Sequence, residues 1–279
     1  MESMSRAPFL LPLSARNGFK YGSQSISDSV LLDGLTDPWD LHHMGVCAEH
    51  CAKEFGISRE AQDTYAAESY KRAIAAQDRG DFANEIVPVS VTKRGKTTKV
   101  DADEEPKNVN FDKITQLRPV FTSTGGTVTA ANASTLSDGA AAVLVTSTEF
   151  ASKHGIKPMA QILGYGEASQ KSLLFPTAPS LAIPLALERA GVDKADVDLW
   201  EINEAFAVVT LANIKLLNLD PAKVNVNGGA VSLGHPLGAS GCRIVVTLLH
   251  ALIQRNLSIG VAAICNGGGG ASAIVVKRL

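Results

Sequence analysis

Three short stretches hold side chains able to do chemistry. NVNGGAVSLGHPLGASG, residues 225 to 241, sets one imidazole, His235, among glycines and small apolar residues. A lone histidine is often a core residue satisfied by a backbone carbonyl. A turn this rich in glycine, however, is costly to order unless close approach by another backbone or a ligand requires it. CNGGGGASA, residues 265 to 273, puts the Cys265 thiol at the end of an apolar strand beside four glycines, whose backbone N–H groups could stabilise a developing oxyanion. The alternative there is a small buried hydrophobe next to a hairpin turn. WEINEAFA, residues 200 to 207, carries Asn203 and Glu204 at a strand-to-helix junction, where an amide orients a water or caps a helix. Taken together they supply a histidine, a thiol and an amide at element ends, which is where open α/β folds place their sites.

The elements that must hold these groups follow from patterning. Residues 1 to about 122 read as irregular and polar, with one clear helix from an N-cap at Ser58 to a stop at Gly80. The segment from Thr92 to Pro119 reads as connecting loops with short strands. From Gly126 onward the pattern becomes layered α/β: AAAVLVTS as a strand, SLAIPLALERAG as a helix, and DLWEIN as a short strand. EAFAVVTLANIKLL and CRIVVTLLHALIQRN follow as helices, then VAAICNGGGGASAIVV as two buried strands joined by glycines.

Composition excludes several classes. The 279 residues are 45% hydrophobic and 19% charged, which suits a soluble chain with a sizeable core and two domains better than one. A net charge of -2 and the lack of a Lys/Arg cluster leave no footprint for nucleic acid or an anionic membrane. No apolar run is expected to reach transmembrane length, and the N-terminal stretch does not resemble a signal peptide. Four cysteines fit a reducing compartment, with a cytoplasmic location expected. HHMGVCAEHC, residues 42 to 51, spaces His43, Cys47 and His50 or Cys51 so that they could share a helix face as metal ligands. Cys47 and Cys51 are read instead as helix packing residues.

The combination of NEAFA, NVNGGAVSLGHPLGASG and CNGGGGASA resembles the thiolase family, in particular its biosynthetic acetyl-CoA C-acetyltransferase branch. MESMS, LLDGLTD, HMG-x-CAE, GTVTAANAS and SDGAAA match in family order, so the resemblance spans essentially the whole chain. It implies the layered α-β-α-β-α thiolase fold. Residues 1–122 would form the loop domain, 123–156 the tail of the N-terminal α/β half, and 157–279 the C-terminal domain. The implied reaction is a ping-pong Claisen condensation of two acetyl-CoA to acetoacetyl-CoA and CoA, and its reversal. His235 and a water held by Asn203 would stabilise the thioester oxygen, Cys265 would be the acid/base, and the Gly267 N–H would form half of a second oxyanion hole. His43, Met44, Leu35, Phe121, Ser134, Leu136, Ala205, Phe206 and Tyr70 would contact substrate, and Lys113 would approach the nucleotide end of CoA. In potassium-responsive relatives the ion is held at positions matched here by Tyr70, Ala130, Ala131, Ala133 and Val231. No redox cofactor is implied. Acetyl-CoA and acetoacetyl-CoA would be the small-molecule partners, and a homotetramer the assembly.

Two departures qualify the resemblance. An aromatic and an arginine expected near the adenine and 3'-phosphate of CoA are replaced by Pro106 and Asn108 in EEPKNVNF. Nothing matches the N-x-x-C-x-S-G motif of the family's nucleophilic cysteine, so on the order of a hundred residues preceding MESMS in the family are expected to be missing. Alternatives that follow are a non-catalytic CoA-binding or oligomer-assembly remnant and a broad-range 3-ketoacyl-CoA thiolase. A β-ketoacyl synthase is weaker, because those sites carry a second histidine in place of Cys265.

Overall fold

A computed structural model describes residues 1–279. Two helices organise the first part. α1 (Met44–Glu54) opens at His43, whose Nδ1 accepts from the Gly45 N–H at 3.0 Å. α2 (Arg59–Arg79) is capped by Ser58, whose side chain accepts from the Ala61 N–H, and ends at Gly80 in the left-handed region. The sequence marks α2 as the one clear helix here, and α1 takes in the stretch whose Cys47 and Cys51 it reads as helix packing residues. A hairpin of β1 (Val89–Lys93) and β2 (Lys96–Val100) lies fully exposed.

The second part is a four-stranded sheet, ordered β3-β6-β5-β4, formed by β3 (Ala160–Ser169), β4 (Leu199–Ile202), β5 (Ile259–Asn266) and β6 (Gly270–Arg278). β6 is antiparallel to both neighbours, and β4 runs parallel to β5. Side-chain alternation gives the sheet two apolar faces. Ala271, Ala273 and Val275 of β6 pack with Ala182, Ile183 and Ala186 of α3 (Pro179–Ala190). On the other face Ala262 and Val276 meet Ile244, Leu248 and Leu252 of α5 (Leu237–Gln254). Between them in sequence, α4 (Ala207–Leu217) is apolar nearly all round because it is covered on two sides. Val208, Val209 and Ala212 pack with Cys47, Ala48 and Cys51 of α1, and this core joins the two parts.

Two expectations change. AAAVLVTS forms no ladder: only Asp138–Gly139 pairs, with Glu2–Ser3, and no strand of this chain lies beside residues 140–147, so Leu144 is 88% exposed. By length and composition α5 is apolar enough to cross a membrane, contrary to the expectation that no run reaches that length. It serves here as a core helix, laid along the sheet.

Candidate active site

A cleft of about 1070 Å³ lies where the two parts meet. Leu35, His43, Met44 and Phe121 line it from the first part; Ala133, Ser134 and Leu136 come from the connecting stretch. Ala205, Phe206, His235, Cys265 and Gly267 complete it from the second. Sidedness is fixed by packing. The His43 ring stacks on Phe121 at 4.7 Å between centroids, Phe121 meets Phe206 edge-on, and the Ser134 hydroxyl donates to the Ala205 carbonyl at 2.8 Å.

His235 is 9% exposed, and the chain reaches it through Gly234 at φ 88°, where a Cβ would strike the Ser137 side chain. Its Nδ1 lies 2.6 Å from Ser240 Oγ and its Nε2 3.2 Å from Asn203 Nδ2. Burial, aided by the nearby Arg243 charge, lowers its pKa to about 4, so the ring is neutral at pH 7. Asn203 follows β4, its backbone N–H donating to the Ala263 carbonyl, and its buried Oδ1 has no partner in the chain. Cys265 closes β5 opposite Ala271, and burial pushes its thiol up to about 12. Gly267 opens to the cleft beside Met44. Gly268 and Gly269, at φ 98° and 94°, turn the chain against Trp39 and the Gln170 carbonyl, where a side chain would not fit.

Neither Asn203 nor Glu204 caps α4: Phe206 stands at the N-cap position, without a side-chain bond. Glu204 instead is wholly buried and accepts from Tyr65 Oη at 2.8 Å, Ser69 Oγ at 2.7 Å, Asn225 Nδ2 at 3.0 Å and the Val231 N–H at 3.1 Å. A Cβ at Gly229 would lie 2.6 Å from Glu204 Oε1, which explains one of the glycines before the histidine turn. Glu204 thus fastens α2 and the turn leading to His235 onto the strand end that carries Asn203. Sequence reading missed this knot and Ser240, although a serine five residues past the histidine was a signal.

Apart from Ala133, the other candidates lie off the cleft wall. Tyr70 is buried in α2 with Val231 and Ala207, and burial raises its phenol to about 12. The Ala207 N–H donates to the Asn132 carbonyl, so Tyr70, Val231 and the turn holding Ala130, Ala131 and Ala133 converge around Ala207. Lys113 is exposed on the short helix Phe111–Ile114 and does not line the cleft. In α1, Cys47 and Cys51 are buried packing residues while His50 pairs with Glu54 at 3.1 Å, so the spacing seen in HHMGVCAEHC does not gather one ligand set.

Comparison with known proteins identifies the fold. Residues 1–149 match the thiolase N-terminal domain and residues 156–278 the thiolase C-terminal domain. The chain is 55% identical over 279 residues to a probable acetyl-CoA acetyltransferase of Dictyostelium discoideum, covering all of this chain and 67% of that protein. Among solved structures it is similar to the Bacillus anthracis acetyl-CoA acetyltransferase, with a TM-score of 0.96 at 40% identity. It is likewise similar to a thiolase from Ascaris suum in complex with coenzyme A, with a TM-score of 0.90 at 46% identity. Each structural match covers all of this chain and 70% of the other. With both thiolase domains matched across nearly its full length and a 55% identical relative covering all of it, the chain belongs to the thiolase family.

Proposed function

We propose that this chain carries the acid/base and oxyanion machinery of an acetyl-CoA C-acetyltransferase, which condenses two acetyl-CoA into acetoacetyl-CoA and CoA and runs the cleavage in reverse. The observation that carries this reading is that His235, Cys265 and Gly267 line one cleft between the two parts of the chain, with Asn203 buried against His235 Nε2. Leu35, Met44, Phe121, Leu136, Ala205 and Phe206 give the cleft apolar walls suited to a pantetheine arm and a short acyl group. The thioester oxygen would lie against His235 Nε2 and a water on Asn203. The Cys265 thiolate would remove a proton from the methyl carbon, leaving the electron pair shared between that carbon and the stabilised oxygen. A thiol with a pKa of about 12 is a strong base once ionised, matched to a weak carbon acid. In the cleavage direction its resting, protonated form returns the proton to carbon. Gly267 N–H would meet the tetrahedral oxyanion of the acyl-transfer step, whose nucleophile has no motif match among these residues.

Tyr70, Val231 and the Ala130–Ala133 turn would hold a potassium ion. A phenol and backbone carbonyls are neutral oxygen donors of the kind an alkali cation takes. Homo-oligomerisation is the assembly we favour, consistent with apolar side chains exposed on the first segment, Leu13 at 82% and Tyr21 at 109% among them. One second reading is a chain that binds CoA thioesters without completing turnover.

Solvent-deuterium exchange into the methyl group of acetyl-CoA separates these readings, because it needs the base and the oxyanion hole but no acyl-enzyme. We expect exchange by the 279-residue chain and a loss of about 10²–10⁴-fold in Cys265→Ala. Binding of acetyl-CoA without exchange would leave the second reading. CoA-dependent cleavage of acetoacetyl-CoA, measured alongside, reports whether any thiol of this chain serves as the nucleophile.

A further inference from the structure

Ser240 sits in the first turns of α5, five residues after His235, and its side chain is fully buried. Its Oγ lies 2.6 Å from His235 Nδ1 and 2.9 Å from the Pro236 carbonyl oxygen. A serine hydroxyl has one proton to donate: it goes either to Nδ1, or to the Pro236 carbonyl while an Nδ1–H donates to Oγ. The Pro236 carbonyl already accepts the backbone N–H groups of Ala239 and Ser240, both at 2.9 Å, while Nδ1 makes no other hydrogen bond in the chain.

We propose that Ser240 is a positioning residue: its hydroxyl donates to His235 Nδ1 and thereby holds the single ring proton on Nε2, beside Asn203. Asn203 can serve either ring proton: with its Nδ2 facing Nε2, 3.2 Å away, it donates to an unprotonated nitrogen. With the amide turned about its axis, an exchange that hardly alters its shape, Oδ1 takes the position of Nδ2 and accepts from Nε2–H at the same 3.2 Å. Ring orientation is held in the same way, since the His235 N–H donates to the Thr135 carbonyl and Ser240 is locked in the helix next to it. At neutral pH the ring is uncharged, so only one of its nitrogens can be a donor, and which one decides whether a substrate oxygen beside Nε2 is stabilised. Ser240 acts through that proton and touches no substrate itself.

For its catalytic consequence the inference rests on the proposed role of His235, but the proton position can be read without turnover. Nitrogen-15 shifts of the imidazole ring in the full chain, assigned by their loss in His235→Asn, report protonation and hydrogen bonding at each nitrogen. We expect Nε2–H in the wild type, with Nδ1 at the shift of a hydrogen-bonded acceptor. In Ser240→Ala the Nδ1 resonance should move toward that of an unbonded nitrogen and methyl exchange into acetyl-CoA should fall at least about 10-fold. Ser240→Thr, which keeps the hydroxyl, should return both. A proton on Nδ1 in the wild type, or an Nδ1 shift unmoved in folded Ser240→Ala, would overturn the assignment. A shift that responds while wild-type exchange is absent upholds Ser240 as the positioning group and sinks the proposed function instead.

Discussion

His235 is held neutral by its surroundings, and that has a cost that depends on pH. An unfolded histidine binds its proton near pH 6.5, whereas in the folded chain it does so only near 4. Between these values the unfolded state carries more protons, so stability is fully present above about pH 6.5 and is lost as the pH falls toward 4. The gap amounts to at most about 3 kcal/mol from this one group. Glu85 works the other way: burial raises its carboxyl to about 7, so its contribution is present at low pH and is lost as the pH rises from about 4.5 through 7. Comparing variants isolates the imidazole. We expect His235→Asn to show a smaller drop in urea midpoint between pH 7 and pH 5 than the wild type, and equal drops would show that the ring is not desolvated. His235, Cys265 and Gly267 were legible because each lies in a run whose glycines advertise close approach. Glu204 and Ser240 were not, since what gives them meaning is distant or orientational: Tyr65 and Ser69 reach Glu204 across 139 and 135 residues of chain.

At the level of elements, the helices that could be read were those with local punctuation. Ser58 and Gly80 mark α2, and Gly191, at φ 62°, ends α3. β3 could not be read, because LGYGEAS places glycines where a buried strand would show apolar side chains. The structure supplies the reason: Gly164 and Gly166 face α3 and let its backbone rest on the sheet. A Cβ at Gly166 would fall on the Ala182 carbonyl oxygen and within 2.6 Å of Ala186 N; at Gly164 it would lie 2.6 Å from Ala190 N and 2.7 Å from Ala186 O. Backbone cannot swing aside as a side chain can, so Gly166→Ala must lift α3 off Ala271, Ala273 and Val275. We expect a loss of about 1–3 kcal/mol or more in urea-unfolding experiments. A variant as stable as the wild type would mean that the helix is not seated as closely as described. The reverse error, reading AAAVLVTS as a strand, has a related cause. Alternation and apolarity state what a segment can pair with, and a ladder forms only where a neighbouring strand supplies donors and acceptors.

Across the whole molecule, the site exists only because two parts of different character are clamped together. One clamp is apolar, the shared core of α1 and α4; the other is the Glu204 knot, which ties α2 to the strand end and to the histidine turn. Their consequences differ. Trimming the apolar core weakens packing roughly in proportion to the volume removed, whereas removing the carboxylate strands buried donors that have no water to turn to. Ser69 retains Ser232 at 2.9 Å, but Tyr65 Oη and the Val231 N–H lose a charged acceptor each. We therefore expect Glu204→Ala to cost about 3–5 kcal/mol, comparable to breaking a buried charged network. Because α2 and the His235 turn hang on the same carboxylate, the damage should reach both together. Amide hydrogen exchange of Glu204→Ala should show faster opening in α2 and in residues 225–241, with β5 and β6 changed least. Loss of protection confined to the turn, with α2 unchanged, would show that α1 alone holds the first part in place and that the knot serves only the local geometry of the site.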